Sequence, residues 1–510
     1  MLERLQDKVP AVRAQAVMAL QRLQDPTSAE CPIIKAYLFH LGADPSAFVR
    51  RSVLTVIGRT HVTLPYILDR TRDVKDTVRR HAYLVICKLS IRSLTIKQRE
   101  RLLREGLKDR SELVSGFVSG ILLPTWLRNM KGNYMDLLHA LDVENSTETS
   151  ILALKMLFKH RPLTEVLDAL MSQQINKLIP LDKLTPENVL FWRYLAQYLH
   201  AEGEEMVDNL EKIIPELTPF CQHIRSYYVD EKPKSNSTSW QEIQRQFITL
   251  QLLELTKVFD LGDEMGRSVL KKLIYDMLTC THVKEDLVAV LVEIFVEVEP
   301  NVNSRLQFLA EIVSEIHEPM TQIPVEVSSE ETRKKQILQA KMRVELNEMR
   351  EEQELAVNEQ DFLRAHSLAE KVKQLEEQFR QLNTEPLVTY KEVRTECNDR
   401  ATLSKCLTII YEMMQSPSVT KLTPQLRSLL DNFILQYIED GDTYIHSLAI
   451  RATGVCCLLD LQLAKQYMIM LFFQLANSEA DEVCITALTV IFDIFHLYGL
   501  KPFQMEDELT

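Results

Sequence analysis

A short pattern recurs along the first quarter of the chain and limits what it can fold into. In "LQDKVPAVRAQAVMALQRL", residues 5–23, Asp7 is followed five residues later by Val12, then Arg13, then an alanine and leucine stripe. Asp44, Val49 and Arg50 repeat the spacing, as do Asp73, Val78 and Arg79. Asp109 and Val114 repeat it with Ser115 in the arginine position. Downstream, Ile445 stands five residues after Asp440, and Val483 five after Ser478. Apolar residues three and four apart follow each copy, as in Val78, Ala82, Val85, Ile86 and Leu89, which marks a helix with one buried face. Twelve glycines among 510 residues leave few tight turns, so helices joined by short polar turns are the expectation.

Units of this length with one apolar face cannot bury it alone, and stacking supplies the core. The pattern resembles HEAT repeats. It predicts an all-α solenoid of helix pairs, with the aspartate at the turn and the Val-Arg step opening a second helix that lines the concave side. Residues 1–128 hold the regular units. Residues 129–325 read as degenerate helical repeats with an exposed loop near 227–241, and residues 385–510 return to HEAT spacing. Met1 falls inside a repeat and "QMEDELT" reads as a cut end, so a fragment or shortened isoform is expected.

Residues 328–383 interrupt the pattern with charge. Two helices are predicted, near 330–356 and 361–383, joined by "VNEQD". Leu368, Val372, Leu375, Phe379 and Leu382 have coiled-coil spacing, and Leu338, Met342, Leu346 and Met349 supply a facing stripe. The segment "NEQDFLRAHSLAEKVKQLEEQ" is similar to the helical hairpin of UvrB and UvrC. It is either a docking arm or a solvated hairpin.

No site for chemistry stands out. There is no G-x-x-x-x-G-K-S/T loop, G-x-G-x-x-G turn, G-x-S-x-G elbow or H-E-x-x-H pair. Nine cysteines are scattered without a C-x-x-C pair, which suits free thiols in a reducing compartment. No enzyme, metal or cofactor is expected, and no run is apolar enough for a membrane span.

Charge is the functional signal. The net charge is −13, yet residues 1–128 hold 22 Lys and Arg against 12 Asp and Glu. Arg13, Arg50 and Arg79 have a structural reading, a ladder to Asp7, Asp44, Asp73 and Asp109 of their own or the next unit. That reading is preferred on their repeat spacing, although Arg50 and Arg79 also stand among the candidate anion contacts. The surplus is Arg51, Arg70, Arg72, Lys75, Arg80, Lys108 and Arg110. Stacking is expected to bring these into one row, with Arg72, Lys75 and Arg80 facing a common trough. A second basic run comprises Lys97, Arg99, Arg101 and Arg104. Such a row suits the DNA backbone, whose contacts position without reading bases. An acidic peptide on a scaffold or adaptor is the alternative.

Several segments carry a closer resemblance: "LQDKVPAVRAQAVMALQRLQDPTSAECPII", "RTRDVKDTVRRHAYLVICKL", "GLKDRSELV", "LDVENSTE" and "KLIPLDKLTPENVLFWRYL". From about Leu2 to Pro502 the chain resembles the G subunits of condensin I complexes. The resemblance implies a regulatory non-SMC subunit that binds the kleisin (H) subunit and reaches the SMC subunits through it. With the kleisin it would hold double-stranded DNA in a basic groove during mitotic chromosome condensation, in nucleus, cytoplasm and on mitotic chromosomes. Arg51, Arg70, Arg72, Lys75, Arg79 and Arg80 fit that groove. Kleisin contacts are not assigned to residues.

Overall fold

The computed structural model describes residues 1–230, 239–325, 329–358, 362–384 and 389–503. It forms two compact units, Met1–Arg305 and Leu306–Thr510.

The first unit opens with helix pairs. The helices are α1 (Pro10–Leu20), α2 (Pro32–Ala43), α3 (Ala47–Val56), α4 (Leu64–Asp69), α5 (Asp76–Ile86), α6 (Ile96–Leu107) and α7 (Glu112–Phe117). After α7 come α8 (Leu123–Asn129) and α9 (Tyr134–Leu141). The Val-Arg helices form one layer, with α1 on α3, α3 on α5 and α5 on α7. Their partners form the other, where α2 meets α4 and α6 meets α9. The predicted valines Val49, Val78 and Val114 are fully buried between them.

The repeated aspartate does two jobs. The residues that open α1, α3, α5 and α7 make no side-chain cap bond. Instead the aspartate two positions earlier accepts their backbone N–H: Val9 on Asp7, Ser46 on Asp44 and Lys75 on Asp73 at 2.9 Å, and Ser111 on Asp109 at 2.8 Å. The same carboxylate then receives the arginine of the preceding unit. Arg13 donates through Nε and Nη2 to Asp44 at 2.8 Å each. Arg50 grips Asp73 at 2.8 and 2.7 Å, and Arg79 grips Asp109 at 2.7 Å twice. The third guanidinium nitrogen reaches back to the carbonyl of its own unit's aspartate: Asp7, Asp44 and Asp73, at 2.8, 2.7 and 2.9 Å. Each arginine therefore ties its own turn to the next one.

Burial alone would raise the Asp44 carboxyl. The Arg13 fork, the Ser46 N–H and His40 outweigh it and hold Asp44 below the usual carboxylate range. Asp109 is likewise lowered against burial by Arg79, the Ser111 N–H and the charge of Arg110.

Past Asp109 the ladder stops and rings take over. Tyr134 packs on Phe191 (5.2 Å between centroids), Phe158 on Phe191 (5.5 Å), Trp192 on Phe220 (5.6 Å) and Phe220 on Phe259 (4.9 Å). In the degenerate stretch Arg305 repeats one part of this arrangement. Arg305, 2% exposed, donates to the carbonyl of Glu299, six residues earlier, the offset used by Arg13, Arg50 and Arg79. The loop expected near 227–241 lies mostly on residues 231–238, outside the described residues; Ser226–Asp230 closes one helix and Ser239 opens the next.

In the second unit the inserted helices run Ser329–Asn358 and Phe362–Thr384. Leu346, Leu368 and Val372 are buried in their seam, with Met349 against Leu368. Leu338 does not join it and is 47% exposed. Leu382 falls in the second of these helices, and its side chain lies outside those described. A feature the helical reading missed closes the base: β1 (Met320–Val325) pairs antiparallel with β2 (Thr389–Arg394), Met320 opposite Arg394. Beyond it Asp440 and Ser478 make the same turn as Asp7, accepting from the N–H of Asp442 (2.7 Å) and Ala480 (3.3 Å).

Breaking one rung strands a buried charge, so Arg50→Ala should cost about 3–5 kcal/mol. Arg50→Met with Asp73→Asn should recover much of that, because the charge goes with its partner while asparagine still accepts the Lys75 N–H. Urea unfolding of the variants checks both. Lowering the pH should also weaken the array: the contributions of Asp44 and Asp109 are complete above the ordinary carboxylate pKa of about 3.9 and vanish as pH falls through their lower folded values.

Candidate nucleic-acid interface

The ladder sorts the basic residues. Arg50 and Arg79, counted above among possible DNA contacts, are 9% and 6% exposed, with their donors turned inward. That assignment is corrected: they hold units together. Arg70 is half-buried and turned to Asp73 at 3.6 Å, and its Nε is enclosed. Arg72 is exposed but forks onto Glu105 from the next unit, with Nε at 2.9 and 3.0 Å. The common trough of Arg72, Lys75 and Arg80 does not form: Arg72 is neutralised, Lys75 sits at the turn before α5, and Arg80 lies on the helix layer.

Five candidates are exposed and make no ion pair among the described residues: Arg51, Lys75, Arg80, Lys108 and Arg110. They fall into two groups. Lys75, Lys108 and Arg110 line the turn edge, where Ser111 donates to Asp76 at 3.0 Å and joins the turns before α5 and α7. Arg51 and Arg80 lie on the second-helix layer around His81, which bonds Thr55 of α3 at 3.0 Å. Burial first, then the charges of Arg51, Lys88 and Arg80, hold the His81 imidazole below its ordinary value. Arg80 also stands 5.2 Å over the Phe117 ring of α7, which fixes its direction at little cost in hydration.

Lys88 was missed, and the sequence did carry its signal. A cation stands nine residues after each ladder arginine: Arg22, Arg59 and Lys88. All three are exposed, at or just past the ends of α1, α3 and α5, where the helix dipole favours positive charge. The layer thus offers cations nine residues beyond each of the three ladder arginines, and one residue beyond Arg50 and Arg79.

Comparison with known proteins fits this architecture. Human condensin complex subunit 3 is 37% identical over 99% of this chain. By sequence, the chain is similar over almost its whole length to condensin complex subunit 3 proteins. The Xenopus laevis protein is also 37% identical over 99% of the chain, and the Saccharomyces cerevisiae one 26% over 98%. These alignments take in 50%, 50% and 49% of the relatives, so the chain spans about half their length. Residues 405–510 match the family described as nuclear condensing complex subunits, C-terminal domain. The fold is similar to the crystal structure of the S. pombe condensin Cnd3–Cnd2 subcomplex, with a TM-score of 0.72 at 24% identity, covering 98% of this chain and 54% of that one.

If Arg51 and Arg80 crowd His81, replacing both by glutamine should raise its pKa toward the ordinary value of about 6.5. Histidine NMR titration reads this directly. An unmoved titration would mean that the cations do not share the site. The same depression makes neutral His81 favour the fold above its ordinary pKa, an advantage lost as pH falls through the lowered value.

Proposed function

We propose that this chain is a regulatory, non-SMC subunit of a condensin complex. It binds a kleisin subunit and, with it, double-stranded DNA without reading its sequence, in support of mitotic chromosome condensation. The reading places it in nucleus and cytoplasm and on mitotic chromosomes, with SMC subunits engaged through the kleisin. It requires no catalytic centre in this chain.

The observation that carries the DNA reading is the grouping of Arg51, Arg80 and Lys88 about His81, outside the ladder and without carboxylate partners among the described residues. Sequence relatedness to condensin complex subunit 3 supports the assembly. The S. pombe relative was solved with Cnd2, which supports the kleisin as partner.

Each phosphate neutralised by a cation steepens the fall of log affinity with log salt by about 0.9. Reversal of Arg51, Arg80 and Lys88 to glutamate should weaken duplex binding and flatten that slope by about 2.7 in all. Reversal of Arg72, already paired, should do much less. The measurement is salt-dependent DNA binding by the chain with its kleisin. An unchanged slope in the triple variant would remove this face and favour the scaffold reading.

A further inference from the structure

In the second basic run Arg101 pairs with Asp69 and Glu105, and Arg104 with Glu100. Arg99 instead borders a cavity of about 380 Å³ between the first helices of two successive units, α6 and α9. Arg99 is half-buried there. Its Nε donates to the carbonyl of Ile91 at 2.9 Å and its Nη1 to that of Ala140 at 2.6 Å. A guanidinium has five N–H donors, so these two bonds leave further donors on a residue that lines the space. Burial lowers Arg99 from its ordinary value, and no carboxylate offsets that effect.

The other walls define what would fit. Arg92 adds a second, exposed cation, and Ile96 and Met130 supply apolar surface. His139 is engaged with Glu187 at 2.7 Å. Asp136, on the first turn of α9, is exposed and is the carboxylate in the lining. The lining thus holds two arginines, the carboxylate of Asp136 and the apolar surface of Ile96 and Met130. The volume lies within the range of small binding pockets. A planar guanidinium favours a forked carboxylate, and the apolar walls favour a hydrocarbon body beside it. A nucleic-acid backbone would bring no such hydrocarbon body to Ile96 and Met130.

We propose that this cavity docks a carboxylate side chain carried next to an apolar residue, in a peptide segment of a protein partner. The site lies on the first-helix layer and does not rest on the DNA reading.

The probe is 3-phenylpropionate, added to the full chain labelled at methionine methyls, with Met130 as the reporter. The expected result is a saturable Met130 shift, with affinity on the order of millimolar for so small a ligand. Binding should be about tenfold weaker for 3-phenylpropionamide, for inorganic phosphate and for the Arg99→Met protein. Ile96→Glu changes an exposed residue and sets a carboxylate at the mouth, so it should block the probe even if Arg99→Met does not fold. A missing shift, an equal response to the amide, or unaltered binding in Ile96→Glu would overturn the proposal. So would phosphate binding as tightly as the carboxylate, or displacement of the probe by a short DNA duplex.

Discussion

The forked bond between an arginine and the aspartate of the next unit is the interaction on which the regular part of this structure depends. It satisfies several needs at once. The aspartate closes a turn whose helix has no side-chain cap of its own. The guanidinium fills that aspartate's remaining acceptors and one main-chain carbonyl. Little is left unpaired, which is the condition under which a buried ion pair is tolerated at all. Its contribution is register more than net stability. Units joined only by apolar faces could slide or rotate, whereas a planar fork accepts one geometry.

Fixing register has a functional consequence. With Arg13, Arg50 and Arg79 turned inward, exposed cations recur at set offsets from them, although Ala14, one after Arg13, is buried. Arg51 and Arg80 follow their ladder arginines by one, and Arg22, Arg59 and Lys88 follow by nine. Structural cations and available cations are therefore set by the same repeat. Sequence neighbours such as Arg50 and Arg51, or Arg79 and Arg80, have opposite fates, because a step of one turns a helix by about 100°.

Periodicity made much of this legible. The aspartate-to-valine spacing located the turns, the buried valines and the ladder, and it found the Asp440 and Ser478 turns far downstream. Net charge pointed to the basic first quarter. What periodicity could not show was pairing between residues without a fixed offset. Arg72 meets Glu105, and Arg70 turns toward Asp73, through side-chain reach that depends on the stacking itself. Lys88 was hidden because its recurrence lay outside the motif being followed. The ribbon at the hairpin base was missed because "MTQIPV" and "TYKEVR" pair only with each other, across the whole insertion. Arg305 makes the same bond to a carbonyl six residues earlier, that of Glu299, outside the aspartate pattern.

The central claim is that the forks, and not apolar packing alone, hold successive units in one register. Spin labels at positions 59 and 88, just past α3 and α5, read that register as a distance distribution. The account predicts a single narrow distribution in the native chain and a clearly broader one in Arg50→Gln, which cannot grip Asp73 with a charged fork. Distributions of equal width in the two proteins would contradict it.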